Sequence, residues 1–292
     1  MSHDTALASG QPRRSGAVLL GLVLLVLSPI SAQAASADHP PVAADWAALA
    51  KLPDLSGVWL PDVDDQNRQV TANPPPWKAV VAEQMRHLAA EEQAGRPFLV
   101  LNGCFPHGMP SWMLISHNAM EFLLTPGRVT ILGESDGNRL RRIYTDGRAH
   151  PEDPDLTLHG HSIGRWEGGT LVVDTVGIAP QAYVAVSEAV GVPNNGGMHI
   201  VERIHLVNKD TLHDDLQITA PKVLTGTWKT TRVFYRRRGQ SNDIIEGQCV
   251  QGMVSEGKDS NGNDVFIPRA TSEHGGVVPI APAPTKAEAP RK

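Results

Sequence analysis

Groups that could transfer protons are concentrated in the segment GHSIGRWEGGTLVVDTVG, which covers residues 160–177. His161 and Arg165 stand four residues apart in it, and Asp174 follows a Gly-Gly pair. An imidazole titrates near neutral pH and can act as an acid or a base, while a guanidinium can hold an anionic group of a substrate. His199 begins a second segment in which histidine and arginine recur. The two segments together predict one site for acid–base chemistry.

The Gly-Gly pair predicts the hairpin that positions these groups. Glycine tolerates the positive φ angles of a tight two-residue turn, and we expect such angles at both Gly168 and Gly169. The β-branched run that follows is typical of a strand. With this turn, Trp166 lies opposite Leu171 on one face of the hairpin, and the charged side chains share the other face.

The predicted site uses acid–base catalysis without a metal or another cofactor. One interpretation places the charged strand faces inside a barrel, where burial would force them to pair with one another or with a ligand. The alternative places them on the solvent-exposed outer surface of the barrel. In that case the core is formed by the opposite faces, which carry Leu171, Val173, Ile200, Ile204 and Leu206. The catalytic candidates are His161, Arg165, His199 and Tyr144, and the substrate-binding candidates are Arg142, Arg148, Asp174, Arg203 and Trp166.

A serine nucleophile is a second interpretation of the same segment. Residues 160–164 match the Gly-x-Ser-x-Gly elbow of hydrolases. That elbow requires a strand before the serine and a helix after it, whereas a hairpin follows here. A serine hydrolase that uses Ser162 is therefore an alternative, and the glycines are better explained by close packing or a bulge.

Histidine spacing also raises the possibility of a metal site. His159 and His161 are two residues apart, and His107, His199 or His205 could supply a third metal ligand. The loop around His159 does not constrain such a geometry, so no metal is predicted.

The predicted strands fall at short intervals after residue 119, with no helical crossover between them. About eight strands in this pattern indicate a mainly β protein, an antiparallel up-and-down barrel with an N-terminal helix. In the strand that begins at His199, Glu202 and Arg203 point to opposite faces, so the one on the apolar face is expected to form a buried ion pair. A helix is expected at 77–95, a loop at 61–76 and a short helix at 183–190; strands are expected at 120–125, 128–132, 140–145, 199–207, 211–219, 226–235 and 243–249.

The N-terminal segment indicates an exported protein, and the remaining 258 residues are enough for one large or two small domains with a core. Residues 1–34 contain a basic pair, an apolar run of about 11 residues and an Ala-Gln-Ala cleavage site, as in a signal peptide too short to span a bilayer. We expect no stable membrane insertion after cleavage. The net charge of −5 does not favour a nucleic-acid partner. Residues 35–98 are expected to pack a strand and a helix on a barrel at 99–252, followed by a loop and disordered tail at 253–292.

Cys104 and Cys249 are the two cysteines of the chain. In an oxidising compartment they are most simply explained by a disulfide that joins the two ends of the barrel segment. Two separately buried thiols are the alternative.

Six short sequence motifs are together similar to those of one group of proteins. Gly57-Val58-Trp59 resembles the Gly-X-Trp that opens the first lipocalin strand. The combination of LSGVW, CxPxGMP, RRIYTDGR, GHSIGRWEG, HIVER and EGQC is similar to a large group of exported, functionally uncharacterised bacterial proteins, over residues 53–251. The resemblance implies a calycin-like barrel and export, and it assigns no catalytic residue.

The functional prediction is an exported small-molecule enzyme of the lyase, isomerase or hydratase type. Its substrate is expected to be an apolar, aromatic compound, and its location the periplasm or the medium. A non-catalytic, lipocalin-like protein that binds a small apolar or aromatic ligand is the first alternative, and the serine hydrolase is the second.

Overall fold

The computed structural model describes residues 40–95, 106–239, 243–247, 254–258, 264–271 and 277–279. All of them belong to one compact unit, Ala34–Lys292. The predicted signal peptide at 1–34 and the predicted Cys104–Cys249 disulfide lie outside the described residues. Within the described part of the chain, no helix has the length and apolar character needed to cross a membrane.

The described chain is mainly β. The helices are α1 (Ala43–Leu49), α2 (Val63–Ala72), α3 (Ala79–Gln93), α4 (Ser111–Leu114) and α5 (Ser135–Asn138). The strands are β1 (Gly57–Pro61), β2 (Met120–Thr125), β3 (Arg128–Gly133), β4 (Leu140–Tyr144), β5 (His161–Glu167), β6 (Thr170–Val176), β7 (Tyr183–Ala185), β8 (Gly191–Pro193), β9 (His199–Asn208), β10 (Thr211–Thr219), β11 (Trp228–Arg236), β12 (Val254–Lys258), β13 (Asp264–Thr271) and β14 (Val277–Pro279).

Nine of these strands close into a barrel, in the order β1-β11-β10-β9-β6-β5-β4-β3-β2. The predicted barrel is therefore confirmed, with nine strands in place of about eight. A ring with an odd number of strands cannot alternate in direction all the way round. The parallel pair is β4–β5, in which Ile143 lies beside Ser162 and Tyr144 beside Ile163. The expectation of a fully antiparallel barrel is wrong at this pair.

Helix α3 confirms the helix predicted at 77–95, but the loop predicted at 61–76 is wrong. Helix α2 occupies most of that stretch. The Asp62 side chain caps it by accepting a hydrogen bond of 2.9 Å from the backbone N–H of Asp65. Acidic residues in the first turn favour the helix further, because they lie at the positive end of its dipole.

Three segments outside the barrel also differ from the prediction. The short helix expected at 183–190 is instead the hairpin β7–β8. Residues 243–247 form no strand, and the rest of the predicted strand 243–249 lies outside the described residues. Strands β12, β13 and β14 form a separate sheet within 253–292, where we expected a loop and a tail.

Apolar side chains fill the inside of the barrel. Trp59, Trp112, Phe122 and Phe234 are all at most 1 % exposed. Leu171, Val173, Ile200 and Ile204 are buried among them, and Leu206 packs against the same cluster. The interpretation with the charged faces inside the barrel is therefore wrong, and the alternative, with those faces outside, is confirmed.

The β5–β6 hairpin has the predicted register, with Trp166 opposite Leu171 and Glu167 opposite Thr170. Of the two turn glycines, only Gly168 has a positive φ, 58°. The turn thus matches type II′, which needs a positive φ at its first central residue alone. Gly164 is required for packing, because a Cβ atom there would lie 2.8 Å from Ile143 Cγ2.

Candidate active site on the outer wall of the barrel

Three histidines and one aspartate form a hydrogen-bonded chain on the outer wall, which we call the His–Asp chain. His161 Nδ1 lies 2.8 Å from His150 Nδ1. His150 Nε2 lies 3.3 Å from Asp174 Oδ1, and His199 Nε2 lies 2.8 Å from the same oxygen. Strands β5, β6 and β9 supply His161, Asp174 and His199, while the loop between β4 and β5 supplies His150. Sheet pairing thus brings together side chains that are far apart in sequence.

The network itself assigns the protons of the neutral histidines. An ionised Asp174 only accepts, so His150 must donate from Nε2. Neutral His150 then has a lone pair on Nδ1, and the facing Nδ1 of His161 must carry a hydrogen. This leaves the Nε2 lone pair of His161 as the basic end of the chain. The arrangement therefore orients His161 with a ring nitrogen that can accept a proton.

The pKa of His161 is lowered, which keeps the ring neutral at physiological pH. Partial burial of the imidazole is the main cause; His150, when it is protonated, and the charge of Arg148 act in the same direction. His199 is more open, with its side chain 45 % exposed. It can therefore exchange protons with solvent while Asp174 holds its Nε2.

Tyr144 and Arg148 form one wall beside His161. The rings of Tyr144 and His161 stack with centroids 5.4 Å apart and an interplanar angle of 25°. The Arg148 guanidinium lies 4.0 Å from the centroid of the Tyr144 ring. Asp146 fixes this guanidinium by accepting from Nε and Nη2 at 2.9 and 2.5 Å. Burial alone would raise the pKa of Asp146, but the hydrogen bonds from Arg148 outweigh it and lower the pKa.

Arg165 and Arg203 lie further along the same wall, where both bind Glu167. Arg165 Nε donates to Glu167 Oε1 at 2.8 Å, and Arg203 Nη1 donates to Oε2 at 2.9 Å. These bonds, that of Arg203 first, lower the pKa of the exposed Glu167 carboxyl. The two arginines are thus positioned by an ion pair of their own and are not bonded to the His–Asp chain.

The structure places the other predicted site residues as follows. Arg142 is exposed and points outward beside His161, one position before the Ile143–Ser162 pair. Trp166 packs against the core on the inner face, and so lies on the opposite side of the sheet from His161. The outer cluster therefore contains Tyr144, Arg148, His161, Asp174 and His199, with Arg142, Arg165 and Arg203 around it.

Sequence reasoning missed His150. It lies in a loop rich in proline and aspartate, and its role depends on how that loop folds back over β5. The one available signal is that a connection between two parallel neighbours must cross the sheet, which brings its residues over the face of the second strand.

Ser162 does not have the surroundings of a nucleophile. It lies inside β5 and is 1 % exposed. Its Oγ is 2.9 Å from Thr175 Oγ1 and accepts from Arg141 at 3.1 Å. The neighbouring His161 points to the other face, and no helix follows the motif. The geometry does not support the serine-hydrolase alternative.

The metal interpretation joined His159 to His161, but the two rings contact different elements. His159 packs edge-on against the buried Trp112 with ring centroids 4.8 Å apart, whereas His161 stacks on Tyr144. Among the residues that the structure describes, no group of three or more His, Cys, Asp or Glu is arranged to hold a metal ion.

Comparisons with known proteins add little to this geometry. No family model matches the chain, and no curated protein matches it. Among solved structures, it is similar to the REP1-NXSQ fatty acid transporter, with 11 % sequence identity and a TM-score of 0.31 over 64 % of this chain and 98 % of that one. A point mutant of the same transporter gives 10 % identity and a TM-score of 0.30, over 63 % and 98 %. Likeness at this TM-score carries no argument about ligand or activity.

Proposed function

We propose that the protein is an enzyme that moves protons on a small organic molecule without a bound cofactor, as an isomerase, lyase or hydratase. The observation that carries the proposal is the His–Asp chain, in which one carboxylate orients His150 and His199, and His150 links it to His161. Surface histidines have no need of such mutual orientation, whereas general bases are held in this way.

In the proposed reaction, His161 Nε2 removes a proton from the substrate. The imidazolium that forms donates through Nδ1 to His150, and His150 donates to the Asp174 carboxylate. The positive charge is therefore stabilised by a counter-charge two hydrogen bonds away. His199, held by the same carboxylate, can return a proton to another atom of the substrate. A base and an acid that share one carboxylate suit an isomerisation or an elimination.

The side chains around the His–Asp chain favour an apolar substrate that carries one anionic group. Outward-facing Ile163, Val176 and Val201 lie between the polar side chains and are partly buried, so they offer apolar contact. Arg148 uses Nε and Nη2 for Asp146, which leaves Nη1 to bind a carboxylate or phenolate. An aromatic acid meets both requirements.

A non-catalytic ligand-binding protein is the second candidate, because the partly buried apolar side chains near Arg148 on the outer wall could hold an apolar anion without converting it. The calycin-like relationship, the signal peptide and the periplasmic or secreted location belong to this proposal as predictions. N-terminal sequencing of the exported protein tests the last two, and a mature chain that starts at Ala35 is the expected result.

Deuterium exchange tests the proposed reaction without knowledge of the substrate. The protein is incubated in D2O with a pool of aromatic and alicyclic carboxylic acids, and mass spectrometry records which compounds gain deuterium or change mass. We expect the wild type to act on at least one compound and His161→Ala to lose that activity. His199→Gln is expected to retain exchange but to slow net conversion.

His87→Ala provides the matched control, because His87 is an exposed histidine on α3 outside the His–Asp chain. It should behave as the wild type. Equal activity in the wild type and His161→Ala would show that the assignment of the base is wrong. If no compound changes but binding is detected calorimetrically, the ligand-binding candidate replaces the enzyme.

A further inference from the structure

The inside of the barrel holds a carboxyl group to which no cation of the described residues donates a hydrogen bond. Asp214 on β10 is 0 % exposed, and within the described chain no N–H or O–H group donates to either of its oxygens. An ionised carboxylate in such a place is strongly unfavourable, because it has lost its water and gained no donor. The Asp214 carboxyl must therefore be neutralised by a proton or by a charged neighbour.

The cations nearest to Asp214 are already committed. Arg141 binds both oxygens of Glu202, with Nη1–Oε1 at 2.8 Å and Nη2–Oε2 at 2.5 Å, and turns its other donors to Ser162 and Thr175. Arg232 is the direct cross-strand partner of Asp214. Its side chain donates instead to the backbone oxygen of Leu114 at 2.9 Å, to Thr230 Oγ1 and to the backbone oxygen of Thr231.

Glu202 is a further polar neighbour of Asp214. It lies on the same inner face, diagonally across the β9–β10 ladder, since Asp214 pairs with Ile204 and Leu216 pairs with Glu202. Long side chains reach each other across such a diagonal. Two carboxyl groups this close are stable when they share a proton, as in the acidic dyads of enzymes.

We propose that Asp214 and Glu202 bind one proton between them inside the barrel, and that Asp214 carries this proton and donates it to Glu202. The assignment to Asp214 follows from Arg141, which donates to both oxygens of Glu202 and forms an ion pair with it. The barrel therefore contains a buried proton-binding site that is separate from the outer His–Asp chain.

The electrostatics of the site agree with the geometry. Burial raises the pKa of Asp214 well above its usual range; the charge of Glu202 raises it further, and Arg141 opposes the shift. The other charged groups near the site are Arg232 on β11 and, on the outer side of β10, Asp215. Asp65 on α2 acts on Arg232, whose pKa burial lowers to about 10.

The shared proton makes the stability of the barrel depend on pH. An aspartate in the unfolded chain loses its proton near pH 3.9, while folded Asp214 retains it at higher pH. Folding therefore takes up one proton in the window between the two pKa values. Rising pH favours the unfolded chain there by about tenfold in the unfolding equilibrium constant per pH unit.

Urea unfolding of the wild type and Asp214→Asn between about pH 5 and pH 8 tests the proposal. Asparagine keeps the shape and can donate to Glu202 without a titrating proton. We expect the unfolding constant of the wild type to rise about tenfold more per pH unit than that of Asp214→Asn. Asp215→Asn, at the next residue on the outer face, should keep the wild-type slope. Parallel profiles for the wild type and Asp214→Asn would overturn the proposal.

A second measurement does not require a variant that folds. Infrared spectra of the wild type, labelled with ¹³C at the aspartate carboxyls, should show an un-ionised carboxylic acid at neutral pH, where exposed aspartates are all ionised. A spectrum with ionised aspartates alone would also overturn the proposal.

Discussion

Replacing Glu202 with glutamine is expected to destabilise the barrel strongly, because Arg141 would remain charged in the core without a counter-charge. The side chains of Arg141 and Glu202 are 1 % and 0 % exposed, so water cannot replace the lost carboxylate. Removing one partner of a buried ion pair costs about 3–5 kcal/mol. Since domains of this kind are stable by about 5–15 kcal/mol, the loss is a large share of the total.

The neighbouring Asp214 sets where in this range the loss falls. In Glu202→Gln, Arg141 attracts the Asp214 carboxyl, which then ionises and supplies part of the missing charge. We therefore expect a loss near 3 kcal/mol for the single variant, at the low end of the range for a broken buried pair. Glu202→Gln/Asp214→Asn removes this compensation, and its loss should exceed the sum of the two single changes.

Urea unfolding at neutral pH, followed by the fluorescence of the six tryptophans and by circular dichroism, measures these losses. Glu167→Gln is the matched control, since it breaks an ion pair with two arginines on the solvent-exposed wall, where water replaces the lost contact and the loss of stability should be small. Arg141→Met/Glu202→Leu replaces both charges by apolar groups and is expected to recover most of the stability.

Two results would refute the reasoning about the buried pair. One is a loss for Glu202→Gln no larger than that for Glu167→Gln. The other is an Arg141→Met/Glu202→Leu protein as unstable as Glu202→Gln, because the cost would then come from packing and not from an unpaired charge.

Two further predictions concern α2 and the pH profile of the proposed enzyme. Asp62→Ala removes the cap of α2 and should cost about 1 kcal/mol in urea unfolding, whereas Asp64→Ala, at an exposed first-turn position, should cost less. Activity should fall as pH drops through the pKa of His161, which lies below its usual range of about 6.5. Arg148→Gln removes a cation that lowers this pKa, so the acid limb of the profile should move to higher pH; an unmoved limb would show that His161 is not the titrating base.

Most barrel strands could be predicted from the sequence, because their alternation of apolar and polar residues is set by a core on one side and water on the other. The strands expected at 120–125, 128–132 and 211–219 match β2, β3 and β10 to within one residue. Helix α2 was missed because its residues are mostly polar, so no apolar stripe marks it as a helix. The parallel β4–β5 pair was missed because the connection between these strands contains no helix to indicate a crossover.

For the candidate site, alternation along the strands predicted which residues share a face but did not decide which face is inside. The correct choice depends on Arg141 and Glu202, whose charges cancel within the core and allow the apolar faces to close around them. The prediction that one of Glu202 and Arg203 is buried and paired is confirmed, for Glu202. His150 could not be predicted, since it joins the His–Asp chain through a contact between a loop and a strand.

The buried ion pair and the His–Asp chain depend on the same strand register. Arg141 binds Ser162 on β5, Thr175 on β6 and Glu202 on β9, and so holds three strands in alignment. A slip of one residue in β5 would turn Ser162 outward and His161 inward, because successive side chains of a strand alternate between faces. His161 would then be separated from Asp174 by the sheet. The contacts of Arg141 inside the barrel therefore determine that the imidazoles outside it meet one carboxylate.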